Sequence, residues 1–160
     1  KYRFFYELMK KEFFRSLRLH QPFSLLSVGI DNLEHQYREG NGFLSVELLL
    51  YRLGELILRC VRKMDSVGQM DNHNFLILCP QTTQHIARLV GTRIKNTVEH
   101  CYFPGEKEHT VLSVSIGIVD VFRLQQQPCS VAPEELINQV CLVQQKAQDK
   151  GGNRIEFCRF

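Results

Sequence analysis

The period of the hydrophobic pattern switches repeatedly along this chain, and that switching constrains the fold more than any other feature. Residues 2–20 place Phe5, Met9, Phe13 and Leu17 every four positions among Lys, Arg and Glu, the spacing of an amphipathic helix. Pro22 breaks that pattern, and Phe23–Ile30 is a strand-length apolar run that ends at the carboxylate of Asp31. Val46, Leu49, Leu53, Ile57 and Cys60 then share one helical face that stops near Arg62. Short apolar runs at 66–70 and 75–79 flank Asp71, Asn72, His73 and Asn74, all turn-tolerant residues, which predicts a β-hairpin closed by Pro80.

Helical spacing returns at Ile86, Val90, Ile94 and Val98, and Pro104 and Gly105 mark a surface connection. Leu112, Val114, Ile116 and Ile118 alternate with Ser113, Ser115 and Gly117, the pattern of a strand with one buried face. Pro133 suits the first position of a last helix carrying Leu136, Ile137, Val140 and Ala147, and Gly151-Gly152 ends it before a short strand at 153–157. After the first helix the order is therefore β-α-β-β-α-β, the ferredoxin-like, palm-type plan of the α+β class. It predicts a mostly antiparallel sheet with helices on one face, plus an added C-terminal helix and strand. Many unrelated proteins share that plan, so it names no function.

At roughly 150 residues per domain, 160 residues make one domain spanning 1–160. An uncapped helical start suggests a unit cut from a longer protein. Hydrophobic residues make up 44%, including 11 Phe and 5 Tyr, which excludes a disordered chain. A net charge of +3 is too weak for a nucleic-acid groove but leaves room for a small anionic ligand. No run approaches the roughly 20 apolar residues of a membrane span, so no direct membrane contact is expected. The six cysteines are widely spaced without metal-ligand pairing, and several fall within apolar patterns, which reads as reduced thiols at a cytoplasmic address.

Four segments in order, Gly29-Ile30-Asp31, the stretch 62–80, the strand VSIGIV at 114–119 and GGNRI at 151–155, resemble the GGDEF domains of diguanylate cyclases. The resemblance implies a two-metal site for GTP held by two carboxylates, and this chain departs from it throughout. Gly29 stands at the aspartate ligand of the first strand, and Asp31 matches a neighbouring aspartate that is not the chief ligand. The signature pentapeptide reads Asp71-Asn72-His73-Asn74-Phe75, so both glycines and both acids are replaced and only Phe75 survives. Asn74 would be a neutral, weak ligand for a hard cation.

The guanine-reading asparagine and aspartate fall on Tyr37 and Val46, and the triphosphate-binding lysine and arginine on Gln148 and Gly152, with Lys146 and Lys150 nearby. His73 beside Asp71 offers an acid–base pair on paper, but a histidine in a polar turn is ordinarily solvated. The expectation is a domain without cyclase activity, without catalytic residues and without a cofactor or metal.

One feature of the family is retained. Arg62-Lys63-Met64-Asp65 matches the R-x-x-D motif of its inhibitory site for cyclic di-GMP, and Arg93 matches the supporting arginine of the next helix. An arginine fork can bond guanine O6 and N7, Asp65 could accept from guanine N1 and N2, and two arginines offset two phosphate charges. The competing reading is an ordinary i, i+3 ion pair at a helix end. The leading expectation is thus a cyclic di-GMP receptor or regulatory module coupled to adjoining domains. A ligand-free dimerisation module, suggested by Phe4, Phe5, Phe13 and Phe14 on more than one face of the first helix, is the alternative. GTP binding without turnover is the third.

Overall fold

The computed structural model describes residues 2–33, 46–104, 109–126 and 131–158. In chain order the elements are α1 (Tyr2–Leu19), β1 (Phe23–Ile30), α2 (Val46–Cys60), β2 (Ser66–Gln69), β3 (Phe75–Pro80) and α3 (Gln84–Glu99). After these come β4 (Tyr102–Pro104), β5 (His109–Val111), β6 (Val114–Asp120), α4 (Val121–Gln125), α5 (Pro133–Asp149) and β7 (Ile155–Phe157).

Five strands form one sheet in the order β2-β3-β1-β6-β7. β1 runs antiparallel to both β3 and β6, β2 is antiparallel to β3, and β7 alone pairs in parallel, with β6. The two β-α-β units interleave, each placing its second strand one position beyond a strand of the other, which is the ferredoxin-like, palm-type core with the added helix and strand.

Strand periodicity divides the core in two. Leu26, Val28 and Ile30 of β1, with Ile77, Ile116 and Ile118, face α2 and α3 through Leu53, Leu56, Ile57, Val90 and Ile94. On the opposite face, Phe23 and Leu25, with Leu76, Leu78 and Val119, meet Phe5, Met9 and Phe13 of α1 and Leu136, Ile137 and Val140 of α5. The two helices of the β-α-β-β-α-β core, α2 and α3, share one face as expected, while the first helix and the added C-terminal helix cover the other. Ser115 and Gly117, which suggest a solvated face, are with Ser27 and Gly29 what α5 lies against: β1 and β6 are buried along their whole length.

Gly117 sets that approach. A Cβ there would lie 2.3 Å from the backbone nitrogen of Gln144 and 2.7 Å from the Val140 carbonyl oxygen, so any side chain would push α5 off the sheet. Two small elements are invisible to periodicity: the β4-β5 hairpin, read from sequence as a plain loop, and the single turn of α4. Each is too short for a repeat to register.

Glu12 sits on the buried stripe of α1, its carboxyl paired with Arg15 at 3.2 Å. Burial outweighs the arginine and raises its pKa above the usual carboxylate value. A raised carboxylate pKa favours the folded state at low pH and costs stability at neutral pH. Glu12→Gln should therefore raise the melting temperature at pH 7, and the gain should shrink as pH falls through the raised pKa. Gly117→Ala should lose about 1–3 kcal/mol or more by overpacking, visible in urea unfolding.

Candidate functional site

The β2-β3 turn is built locally. Met70 N–H donates to the Asn74 carbonyl at 2.8 Å and His73 N–H to the Met70 carbonyl at 3.1 Å. The Asn72 side-chain oxygen accepts from Asn74 N–H at 3.1 Å, an Asx turn that fits the tolerance of these residues for tight geometry. His73 carries φ 73°, and Asp71, Asn72 and His73 are exposed. Nothing brings His73 and Asp71 into a hydrogen bond, so no acid–base pair forms in the turn.

Asn74 points inward to the end of β1, and Phe75 is buried behind it in the α2 and α3 core. Asn74 Nδ2 donates to Gln144 Oε1 at 3.1 Å and to Ser27 Oγ at 3.5 Å. A Cβ added to Gly29 would lie 2.3 Å from Gln144 Nε2 and 2.9 Å from Asn74 Oδ1. Gly29 and Asn74, singled out far apart in sequence, are therefore neighbours, and the space between them is filled by the amide of Gln144.

Gln144 is 2% exposed, and its buried Nε2 has no hydrogen-bond partner. Two neutral amides and a glycine, with an N–H donor at the centre, do not fit a divalent cation, which takes oxygen acceptors. Among the described residues no three His, Cys, Asp or Glu side chains gather to hold a metal ion.

Asp31 shares the face of Gly29, as alternation predicts, and is committed elsewhere. Ser113 Oγ donates to Oδ2 and Ser115 Oγ to Oδ1, both at 2.6 Å, and the Asn153 N–H reaches Oδ2 at 2.8 Å. The carboxylate ties β1 to β6 and to the turn before β7, and Gly152, at φ 77°, passes so close that a Cβ would lie 2.8 Å from its Cγ. Gln148 Nε2 donates to the Ile30 carbonyl at 3.1 Å. Lys150 and Arg154 both pair with Glu156, whose pKa is lowered chiefly by the Lys150 hydrogen bond. Lys146 is exposed. Val46, the first residue of α2, packs on the core, and Tyr37 lies outside the described residues.

At the C-terminal end of α2 Arg62 pairs with Asp65, and Arg93 reaches the last residue of the helix. Arg62 grips Asp65 through Nη2 at 3.1 Å and Nε at 3.4 Å, while its backbone N–H donates to the same carboxylate at 2.8 Å. Arg62 Nη2 also reaches the Pro80 carbonyl at 3.1 Å and Thr82 Oγ1 at 2.6 Å. Arg93 Nη1 donates to the Cys60 carbonyl at 2.8 Å, satisfying a helix-end acceptor of α2.

The Asp65 side chain is 0% exposed while that of Arg62 is 40% exposed. Asp65 is thus closed to an incoming base in this arrangement and orients the arginine, a change from the guanine-accepting role the sequence suggests. Burial, with the nearby Asp65 adding to it, pushes the Cys79 thiol far up and keeps it protonated.

Two residues central to this geometry escape sequence reasoning. Gln144 had a signal, since it is a polar residue inside the stripe Leu136, Val140, Ala147 that α5 buries. Thr82 had none, because its contact with Arg62 spans 20 residues through a loop.

The sheet order and the hairpin set at the end of β1 define a palm-type α+β domain. The family model described as diguanylate cyclase, GGDEF domain, matches residues 2–154, and the chain belongs to this family.

The structure superposes on the active GGEEF domain of a diguanylate cyclase from Vibrio cholerae with a TM-score of 0.84 at 20% identity, covering 99% of this chain and 96% of that one. Against diguanylate cyclase SiaD of Pseudomonas aeruginosa, solved with its activator SiaC, the TM-score is 0.84 at 20% identity. That match covers 98% of this chain and 57% of SiaD. The GGDEF domain of DgcB from Caulobacter crescentus, solved with c-di-GMP, gives 0.82 at 12% identity, covering 96% and 85%. No curated protein sequence matches the chain. At these identities the structural likeness establishes the fold alone.

Asp31→Ala should cost about 3 kcal/mol, since it leaves two buried or half-buried hydroxyls and a backbone N–H without their charged acceptor. Chemical denaturation compared with the wild type measures it.

Proposed function

We propose that this GGDEF domain makes no cyclic di-GMP and works as a cyclic di-GMP receptor or regulatory module for the domains it is joined to. The observation that carries the reading is the contrast between the two ends of the sheet. At the hairpin end, amides and a glycine stand where the family chemistry calls for carboxylates, and Gln148 is spent on a backbone carbonyl. At the opposite end, Arg62 is held in a fixed fork by Asp65, Thr82 and Pro80, beside Arg93.

A pre-oriented, partly exposed guanidinium suits a guanine edge or a phosphate, and holding it in place beforehand removes the entropy cost of ordering a free arginine. Arg62 and Arg93 are the contacting residues in this reading, with Asp65 as the positioning group. Domains of this kind fit a cytoplasmic setting, and the described free thiols agree with a reducing one.

A second reading, a ligand-free interaction module, has its own support in α1. Phe4 is 70% exposed and Phe14 57%, while Phe5 and Phe13, also considered for that surface, are buried in the core. Light scattering that shows a concentration-dependent dimer indifferent to cyclic di-GMP would favour it.

Calorimetric titration of the 160-residue chain with cyclic di-GMP separates the two. Micromolar or tighter uptake is expected, weakened at least about tenfold by Arg62→Ala or Arg93→Ala with circular dichroism unchanged, a loss of about 1.4 kcal/mol. An intact domain that releases no heat rejects the receptor role.

A further inference from the structure

We infer that Gln144 is a built-in plug: the former metal cradle of this domain is closed by a buried amide, and restoring its acidic residues alone would not reopen it. The inference rests on the reading that the domain is not a cyclase and goes beyond it, because it assigns the block to a residue outside the signature hairpin and the first strand.

Three observations meet at this point. The Gln144 amide occupies the position that any side chain on Gly29 would enter, 2.3 Å from the Cβ such a residue would carry. Its carbonyl accepts from Asn74, which lies against it across the gap. Its Nε2 is buried without a partner and presents a donor to the interior, where a cation would meet repulsion.

The far end of a glutamine ordinarily swings aside when crowded. Here the backbone of the same residue is pressed against Gly117, where a Cβ would sit 2.3 Å from Gln144 N and 2.8 Å from its Cα. With that anchor, 2% exposure and the side chain of residue 74 on the remaining side, the amide has little room to retreat.

The test is metal uptake by the whole chain, with Mn2+ alone as the probe and thermal melting as the readout. The pair Gly29→Asp with Asn74→Glu should melt lower than the wild type and gain nothing from millimolar Mn2+. The same pair with Gln144→Ala should gain several degrees on adding Mn2+, as binding to the folded state alone requires.

Equal gains with and without Gln144→Ala would overturn the plug, and so would no gain in either. A wild-type chain stabilised by Mn2+ would instead reject the inactive reading itself. If the multiple variants do not fold, Gly29→Ala decides. It should lower the melting temperature by roughly 3 °C or more in the wild type and by less than half as much beside Gln144→Ala. The same loss in both backgrounds would overturn the plug.

Discussion

The close approach of α5 to the sheet at Gly117 governs the rest of the molecule. Because β1 and β6 present Ser27, Gly29, Ser115 and Gly117 in facing register on that side, a helix can settle almost onto the backbone. Leu136, Ile137, Val140 and Val143 then fill the second core together with α1, and burial of that apolar area makes the contact worth its tight geometry. Once the helix lies there, Gln144 falls over Gly29 and Gln148 over the end of β1. The polar groups of α5 become structural joints between helix, strand and hairpin.

A consequence is that the hairpin end of the sheet is tied to α5 by the neutral Asn74–Gln144 hydrogen bond. Asp31 accepts from two hydroxyls and a backbone N–H. Lys150 and Arg154 are both drawn to Glu156. The other end keeps its charge. Arg62 and Arg93 lie at the C-terminal end of α2, where the helix dipole favours cations, and Asp65 fixes one of them bidentately.

Much of this architecture was legible in the sequence because it follows from repeat. Periods of about four and of two placed α1, β1, α2, the β2-β3 hairpin, α3, β6 and α5 within a few residues. Order alone then fixed the sheet plan. The face on which Ser115 and Gly117 lie was misjudged because small side chains look like solvent contacts in a pattern, whereas in space they admit a helix. The proximity of Gly29 and Asn74 came from the family resemblance and is met in three dimensions.

What filled the gap between them was hidden, since Gln144 acts through a contact 70 residues from Asn74. The closed state of Asp65 was hidden for a similar reason: it depends on the turn at Pro80 and Thr82 folding back over Arg62.

The proposed function stands on an amide and a glycine at the positions where the family's chemistry calls for carboxylates, and it holds that the chain joins no nucleotides. Incubation of the purified chain with GTP and magnesium, followed by chromatographic separation of the nucleotides, tests it most directly. The account predicts that GTP is recovered intact with no cyclic dinucleotide at any protein concentration. A cyclic di-GMP peak that grows with time and with protein would contradict it.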